Sequence, residues 1–338
     1  MTYPFTPLMA ELPDLAGKAV LITGGTGSFG RAFARRLLDE FAPRKVIILS
    51  RDEQKHYDME REMNDPRLRF FVGDIRDKAR LCRAFTGVDL VVHAAAMKHV
   101  HISEYNPIEA IRTNVDGAAN VIDAALERDV ARVVALSTDK AVSPVNLYGA
   151  TKLCMEKLFV AANSYSGEDG TQFDLVRYGN VVGSKGSVVP LFLKQRESGR
   201  LTVTEGDMTR FWIGMSRAID LVLLALKEGL GGEVFIPKLP ACTVDVLTQA
   251  MAPGLPIDHI GIRPGEKMHE TLITADESHN AVEYGNYYVI RPNFVSWACK
   301  PRTTGAPTER RFNYASDGTH ALSVIETRDL LRELGFIE

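Results

Sequence analysis

From residue 18 the sequence alternates between short, continuous apolar runs and longer stretches with helical spacing. The apolar runs fall at 19–23, 45–50, 68–72, 90–94, 132–137 and 173–178, with helical stretches at 30–41, 77–85, 107–128 and 148–165. Strands that are apolar on both faces must be covered on both faces, and strands joined through helices pair in parallel. The expected fold is α/β, a doubly wound parallel-sheet Rossmann domain whose ligand crevice lies at the carboxyl ends of the strands. After Tyr178 the rhythm breaks. Glycine, proline and charged residues crowd 179–210, a helical stretch returns at 216–227, and 233–236 reads as one more strand. The expected division is a Rossmann domain over 1–178, to which 214–238 returns, and a smaller C-terminal substrate-binding lobe from 179–213 and 239–338.

Composition narrows the function classes. A net charge of −3 argues against gripping a nucleic acid or an acidic membrane, so neither partner is expected. Cys82, Cys154, Cys242 and Cys299 contain no Cys-x-x-Cys pair and match neither a disulfide framework nor a zinc site. His93, His99 and His101 crowd one stretch without a matching carboxylate or cysteine set, so they read as packing or solvent-facing residues and no metal is expected. The first fourteen residues carry prolines and acids rather than a signal peptide's basic and apolar order, and no apolar run approaches the ~18 residues that span a bilayer. A soluble, cytoplasmic protein is expected.

The first strand runs directly into Thr23-Gly24-Gly25-Thr26-Gly27-Ser28-Phe29-Gly30, and a helical stretch follows at once. Glycines at 24, 27 and 30 permit a tight turn that brings backbone amides against a pyrophosphate, at the positive end of the next helix. Ser50, Arg51 and Asp52 end the second strand, with Lys55 close behind. An acid there would bond the ribose 2′-hydroxyl of NAD, whereas a guanidinium suits the 2′-phosphate of NADP. Arg51 tilts the expectation to NADP, with Asp52 on the ribose of NAD as the alternative. Asp74, followed by Ile75, is placed to accept from the adenine amino group. Ala94, Ala95 and Ala96 are small enough to let the cofactor lie against the backbone.

Tyr148 and Lys152 are four residues apart on a helical stretch and so share a face. A phenol is a poor base at neutral pH, and a nearby ammonium favours its phenolate. Upstream, at the end of the fifth strand, stands Ser137-Thr138-Asp139-Lys140. Thr138 can bond a substrate hydroxyl beside Tyr148, while Asp139 and Lys140 bring an acid and a base to the same centre. An isolated Asp-Lys pair would read as a helix cap and a surface lysine; its place beside Tyr148 and Lys152 reverses that judgement.

These motifs resemble one known group, the inverting UDP-N-acetylglucosamine 4,6-dehydratases of pseudaminic acid biosynthesis, within the extended short-chain dehydrogenases/reductases. The likeness covers nearly the whole chain. It includes Thr23–Gly30, Gly73-Asp-Ile-Arg-Asp77, Ala94-Ala-Ala-Met-Lys-His-Val100, Ser137-Thr-Asp-Lys-Ala141, Asn146-Leu-Tyr-Gly-Ala-Thr-Lys152, the stretch Val176–Pro190, Thr209-Arg-Phe-Trp212 and Arg263-Pro-Gly-Glu-Lys267. Retaining sugar dehydratases carry Thr-Asp-Glu where this chain has Thr138-Asp139-Lys140. Some membrane-bound relatives have methionine in place of Tyr148.

The resemblance implies UDP-N-acetylglucosamine as substrate and a tightly held NADP recycled in each turnover. Tyr148 takes the proton of the 4-hydroxyl as C4 is oxidised. Lys140 then removes the acidified C5 hydrogen and Asp139 protonates the departing 6-hydroxyl. Hydride returns to C6, and C5 is reprotonated from the opposite face. For Lys140 to act as a base it must be partly neutral, which Lys152 and the nicotinamide cation are expected to favour. Lys98, after the fourth strand, is expected to reach both cofactor and sugar. Asn180, Ser187, Val188, Val189, Thr202, Thr204, Arg210, Arg263 and Glu266 are the expected substrate contacts, the two arginines as diphosphate or uridine clamps. Relatives associate through the long Rossmann helices, so a homo-oligomer is expected. Two rivals are a retaining dehydratase or 4-epimerase on a related nucleotide sugar, and a non-catalytic NADP sensor. An epimerase has no need of Asp139 and Lys140, and a sensor has no need of Tyr148 and Lys152.

Overall fold

The computed structural model describes residues 8–167, 170–293 and 300–337. Cys299, and the first seven residues on which part of the leader reading rests, lie outside them. Six strands form the parallel core: β1 (Ala19–Thr23), β2 (Lys45–Ser50), β3 (Leu68–Val72), β4 (Leu90–His93), β5 (Arg132–Thr138) and β6 (Gln172–Tyr178). Their order across the sheet is β3-β2-β1-β4-β5-β6. The chain winds outward from β1 in one direction and from β4 in the other, so the crevice opens at the carboxyl ends of β1 and β4. The doubly wound reading holds.

The Ser28–Glu40, Lys78–Ala84 and Leu147–Ser166 helices lie within a few residues of their expected places. The stretch 107–128 is not one uniform helix. It runs as Pro107–Ile111, a π-helical turn at Arg112–Asp116, then Gly117–Glu127. A further helix at Glu53–Met63 escaped the apolar pattern because only His56 and Met59 are buried on it; Asp52 caps it by accepting from Lys55 N.

Val234–Pro237 extends the sheet in parallel beside β6. The sheet then continues where sequence expected only lobe. Tyr287–Ile290 pairs antiparallel with Val234–Pro237, Ala281–Glu283 follows, and Ala306–Pro307 forms the edge. These short strands cover what would otherwise be an open, apolar sheet edge. The remaining C-terminal residues build a second apolar cluster around Val189, Phe192, Leu201, Trp212, Leu247, Met251 and Leu331. Among the described residues no helix is long and apolar enough to cross a membrane.

Two buried ion pairs tie these parts together. Arg177 on β6 bonds Glu156 on the Leu147–Ser166 helix at 2.7 and 3.0 Å. Arg302 bonds Glu233 at 2.6 and 2.7 Å. Beside the second pair Asp174 is buried, its Oδ1 accepting from Gly231 N and Glu233 N at 3.1 Å each. Burial, reinforced by the charge of Glu233, pushes its carboxyl up to about 7. A carboxyl raised in the folded state costs no stability below its unfolded value and costs progressively more as pH rises toward the folded one. Asp174→Asn is therefore expected to gain stability relative to the wild type as pH rises from about 4 to 7, by up to ~1.4 kcal/mol per pH unit. Urea unfolding of both proteins across that window checks this; a pH-independent difference would refute it.

Candidate active site

At the end of β5, Thr138 caps a single 3-10 turn, Asp139–Ala141, by accepting from Lys140 N at 3.3 Å, and its hydroxyl donates to Asp139 Oδ1 at 2.8 Å. The next helix starts at once, capped by Asn146, whose Oδ1 accepts from Gly149 N at 2.8 Å. Gly149 lies against the carbonyl of Lys140, where a Cβ would collide with that oxygen. This close approach places the Asp139–Lys140 turn beside Tyr148. The same cap reaches the distant 263–267 segment, because Asn146 Nδ2 donates to Gly265 O at 2.7 Å and Lys267 Nζ donates to Val142 O at 2.6 Å.

Lys140 Nζ is surrounded by acceptors. Asp139 Oδ1 lies at 3.0 Å, Glu270 Oε1 at 3.5 Å and Asn180 Oδ1 at 3.5 Å. Asp139 is fully buried, and its second oxygen has no hydrogen-bond partner. Burial works against the ammonium, but the charges of Asp139 and Glu270 more than offset it, so Lys140 sits above the usual lysine range. This corrects the expectation that Lys140 is pushed toward neutrality by Lys152. Glu270, invisible to the sequence reading, dominates that balance together with Asp139.

Tyr148 is buried at the same turn. Burial pushes its phenol up to about 12, while the charge of Lys140 and a hydrogen bond with Thr138 pull the other way. The cation that acts on the phenol in this arrangement is Lys140 rather than Lys152. Lys152 instead donates to Leu136 O at 2.6 Å and Met155 Sδ at 3.0 Å. Burial brings it down to about 8 against the opposing charge of Glu156.

On the cofactor side, Gly24 has φ +67° and faces the backbone of Ala94 and Ala95, its absent Cβ position lying 2.8 Å from Ala95 Cα. Gly30 packs on Gly25 in the same way. Thr23 Oγ1 is engaged by His93 Nδ1 at 2.8 Å and by Ala95 N at 3.3 Å. Gly27 begins the Ser28–Glu40 helix with no side chain capping it, so the amides around Ser28 and Phe29 are left for an anion. That uncapped end and the glycine turn fit a dinucleotide pyrophosphate. Thr26, Ser50 and His56 form a closed chain, Thr26 Oγ1 to Ser50 Oγ at 2.9 Å and Ser50 Oγ to His56 Nε2 at 2.7 Å. Asp52 is occupied by its helix cap and by Lys55 Nζ at 2.6 Å. Arg51 is 61% exposed, with Asp74 at 4.0 Å. Asp74 bonds Arg76, which holds its carboxyl below the usual range despite the opposing effect of burial. Ile75 is buried beneath Gly117. Ala96 and Lys98 are exposed, and Lys98 Nζ donates to Lys185 O at 3.2 Å.

The expected substrate residues downstream of Tyr178 converge. Asn180, Ser187, Val188, Val189, Thr202 and Thr204 line one cavity of about 270 Å³, together with Arg210, Arg263 and Glu266. Ser187 precedes the Val188–Glu197 helix without capping it, and its buried hydroxyl has no partner. Arg210 is braced by the carbonyls of Thr209 and Met268 at 2.8 and 3.1 Å. Lys98 and Lys140 stand outside this lining. Sequence reasoning also passed over Asn114, a buried residue in the π turn that clamps Met97 N and O at 2.8 and 3.0 Å and bonds Thr151.

A dinucleotide cradle with a Thr/Tyr/Lys set at the end of β5 defines the class as an extended short-chain dehydrogenase/reductase. The chain belongs to the polysaccharide biosynthesis protein family, whose profile matches residues 20–292. It is 54% identical over 278 residues to UDP-N-acetylglucosamine 4,6-dehydratase (inverting) of Campylobacter jejuni, covering 82% of this chain and 83% of that protein. It is 41% identical over 335 residues to a protein of Rickettsia bellii named UDP-glucose 4-epimerase, covering 95% and 97%. Among solved structures, Pen from Bacillus thuringiensis matches with a TM-score of 0.90 at 39% identity, over 96% of this chain and 99% of that one. DesIV of Streptomyces venezuelae, a dTDP-glucose 4,6-dehydratase with NAD and TYD bound, matches at 0.65 and 26%, over 74% and 86%.

The contact between Gly149 and Lys140 has a measurable consequence. Gly149→Ala is expected to destabilise the fold by about 1–3 kcal/mol through overpacking, while Gly285→Ala, with open space at its Cβ, stays near wild type. Denaturant unfolding compares the two; equal stabilities would contradict the packing at the Asp139–Lys140 turn.

Proposed function

We propose that this chain is a UDP-N-acetylglucosamine 4,6-dehydratase that inverts C5. As a hydro-lyase it gives UDP-2-acetamido-2,6-dideoxy-L-arabino-hexos-4-ulose, the first step of a pseudaminic acid-type sugar synthesis. The observation that carries the reading is Lys140 held beside Asp139 at the end of β5, in electrostatic contact with the buried Tyr148. A bound nicotinamide cofactor supplies the hydride acceptor for C4 and the hydride donor for C6. Tyr148 Oη receives the proton of the 4-hydroxyl, with Thr138 orienting it. Lys140 Nζ takes the C5 hydrogen as a proton, Asp139 delivers a proton to the leaving 6-hydroxyl, and a solvent-derived proton reaches C5 from the opposite face once C6 has been reduced. Lys152 lies one turn beyond Tyr148 on its helix, its ammonium held by Leu136 O.

The finer assignments rest on single features. Exposed Arg51, without a tight partner, favours the 2′-phosphate of NADP, since Asp52 is occupied by Lys55. Ser187, Arg210 and Arg263 in the 270 Å³ cavity suit a diphosphate and uridine. Cytoplasmic residence agrees with the composition. Self-association is supported by apolar side chains left exposed on and near the long helices, with Tyr105 87%, Ile108 58% and Tyr165 72% exposed.

The Rickettsia relatives named UDP-glucose 4-epimerase bring in a second reading. Epimerisation also oxidises C4 but removes nothing from C5, so it leaves the Asp139–Lys140 pair without a task. Incubation with UDP-N-acetylglucosamine in deuterated water, with no added cofactor, separates the two. A 4-keto-6-deoxy product with deuterium at C5 is expected, and Lys140→Ala is expected to lose at least about 100-fold in its formation while still folding. A 4-epimer as sole product, or full dehydratase activity in the variant, would sink the assignment. Arg51→Ala is expected to weaken NADP binding by about 10-fold or more and NAD binding little, as titration calorimetry would read; equal losses would return the choice to Asp52.

A further inference from the structure

We propose that Glu270 is the proton partner of Lys140, taking the ammonium proton so that the amine can act as a base. The proposal rests on the dehydratase reading above and adds a residue to it. Glu270 precedes the short strand Thr271–Ile273, 130 residues beyond Lys140, and is 2% exposed. Its Oε1 lies 3.5 Å from Lys140 Nζ. Its Oε2 is buried without a hydrogen bond and forms an ion pair at 3.4 Å with Lys267 Nζ, which also donates to Val142 O. A buried carboxylate whose two oxygens meet ammonium groups only at 3.4 and 3.5 Å, with no short hydrogen bond to either, is less firmly held as an anion and placed to accept a proton.

The groups around the pair point the same way. Asp139, Lys140, Arg210 and Lys267 face Glu270, while Asp139, Glu270 and Arg210 face Lys140. Asp139 and Glu270 share one ammonium, and two carboxylates so close do not both ionise cheaply. Burial and the charge of Asp139 raise Glu270 above the ordinary carboxylate range, against the charges of Lys140, Arg210 and Lys267. Asp139 already accepts from Thr138 and, in the reaction, carries the proton that it gives to the leaving 6-hydroxyl, so it has no place for a second one. Glu270 is left as the acceptor. One N–H bond of Lys140 breaks and one O–H bond of Glu270 forms, converting an ion pair into a neutral pair with no change in total charge. A sugar that displaces water from the partly exposed side chain of Lys140 favours that conversion, since desolvation penalises the ion pair more than the neutral one. Lys140 then takes the C5 hydrogen as a free amine.

The test compares wild type, Glu270→Gln and Glu270→Asp as purified, cofactor-containing enzymes, with thermal unfolding as the check on folding. Two rates are read from pH 6 to 10 on mixing with UDP-N-acetylglucosamine in deuterated water. One is C4 oxidation, seen as near-ultraviolet absorbance of the reduced nicotinamide. The other is formation of the C5-deuterated product. In Glu270→Gln, C4 oxidation is expected to stay within about threefold of wild type while product formation at pH 7 falls about 100-fold. That deficit is expected to shrink by nearly tenfold per pH unit, because the amine must now lose its proton to water, and Glu270→Asp is expected to restore part of the rate. Product formation within about threefold of wild type at pH 7, a deficit equal at every pH, or loss of C4 oxidation to the same degree would each overturn the proposal. If Glu270→Gln does not fold, the pH-dependent deficit must appear in Glu270→Asp, and its absence there overturns the proposal. A wild type that oxidises C4 without eliminating water would instead defeat the dehydratase reading beneath it.

Discussion

Arg177 is among the largest fully buried side chains of the protein, and the arrangement of the site depends on where its guanidinium points. From β6 it reaches Glu156 on the helix that carries Tyr148 and Lys152, the carbonyl of Leu272, and Glu277. Ser137 of β5 donates to the same Glu156 at 2.5 Å. One cation thus joins the two central strands, the Tyr148 helix and the segment bearing Glu270. A buried charge stripped of its partner costs about 3–5 kcal/mol, so these four pieces hold a common register or lose much of the stability of the fold. The β5–β6 pairing, which sets Thr138 opposite Tyr178, supplies the rigid edge against which that register is fixed.

The chemistry gathers at this edge for a reason intrinsic to parallel sheets. Each strand ends where the following helix begins, so backbone amides and short polar side chains collect at the carboxyl edge without being consumed by the ladder. On the β1 side the collection is left bare, with Gly27 uncapped and Gly24 drawn close to Ala95. On the β5 side it is closed by local bonds, with Thr138 capping its turn and Asn146 capping the next helix. The bare half suits an anionic cofactor. The closed half holds titratable groups in fixed positions, which proton transfer requires. The cavity of Arg210 and Ser187 adjoins the second half through Asn180, which both lines it and faces Lys140.

Much of this was legible in the sequence because the signals are local. The six parallel strands are continuous apolar runs, and the glycine turn and the Tyr148–Lys152 spacing each lie within a few residues of one another. The Glu53–Met63 helix was not legible, since nearly all of its surface is solvated and its apolar stripe is two residues wide. The short strands at Ala281–Glu283 and Tyr287–Ile290 carry too little alternation to be told from loop. Charge states were the least legible. Whether Lys140 is an acid or a base depends on Glu270, which reaches it only because Gly265 and Lys267 anchor their segment to Asn146 and Val142. No spacing rule reports a contact made across 130 residues.

Lys140 faces two demands that no single charge state meets. While the 4-hydroxyl is being oxidised, the phenol of Tyr148 has to give up its proton, and burial resists that. The charge of Lys140 is the chief cation working against this resistance, so at that stage the ammonium form is the useful one. When the C5 hydrogen leaves, only the neutral amine can receive it. An isolated buried lysine would be neutral throughout and would fail the first demand, as a lysine paired with one firmly ionised carboxylate would fail the second. A second carboxylate beside the ammonium satisfies both, because Glu270 can take the proton without any charge leaving the site. The departure from a Thr-Asp-Glu triplet at position 140 is then tied to a glutamate far along the chain. A lysine placed there without Glu270 would have Asp139 as its one carboxylate partner and no second acceptor for its proton.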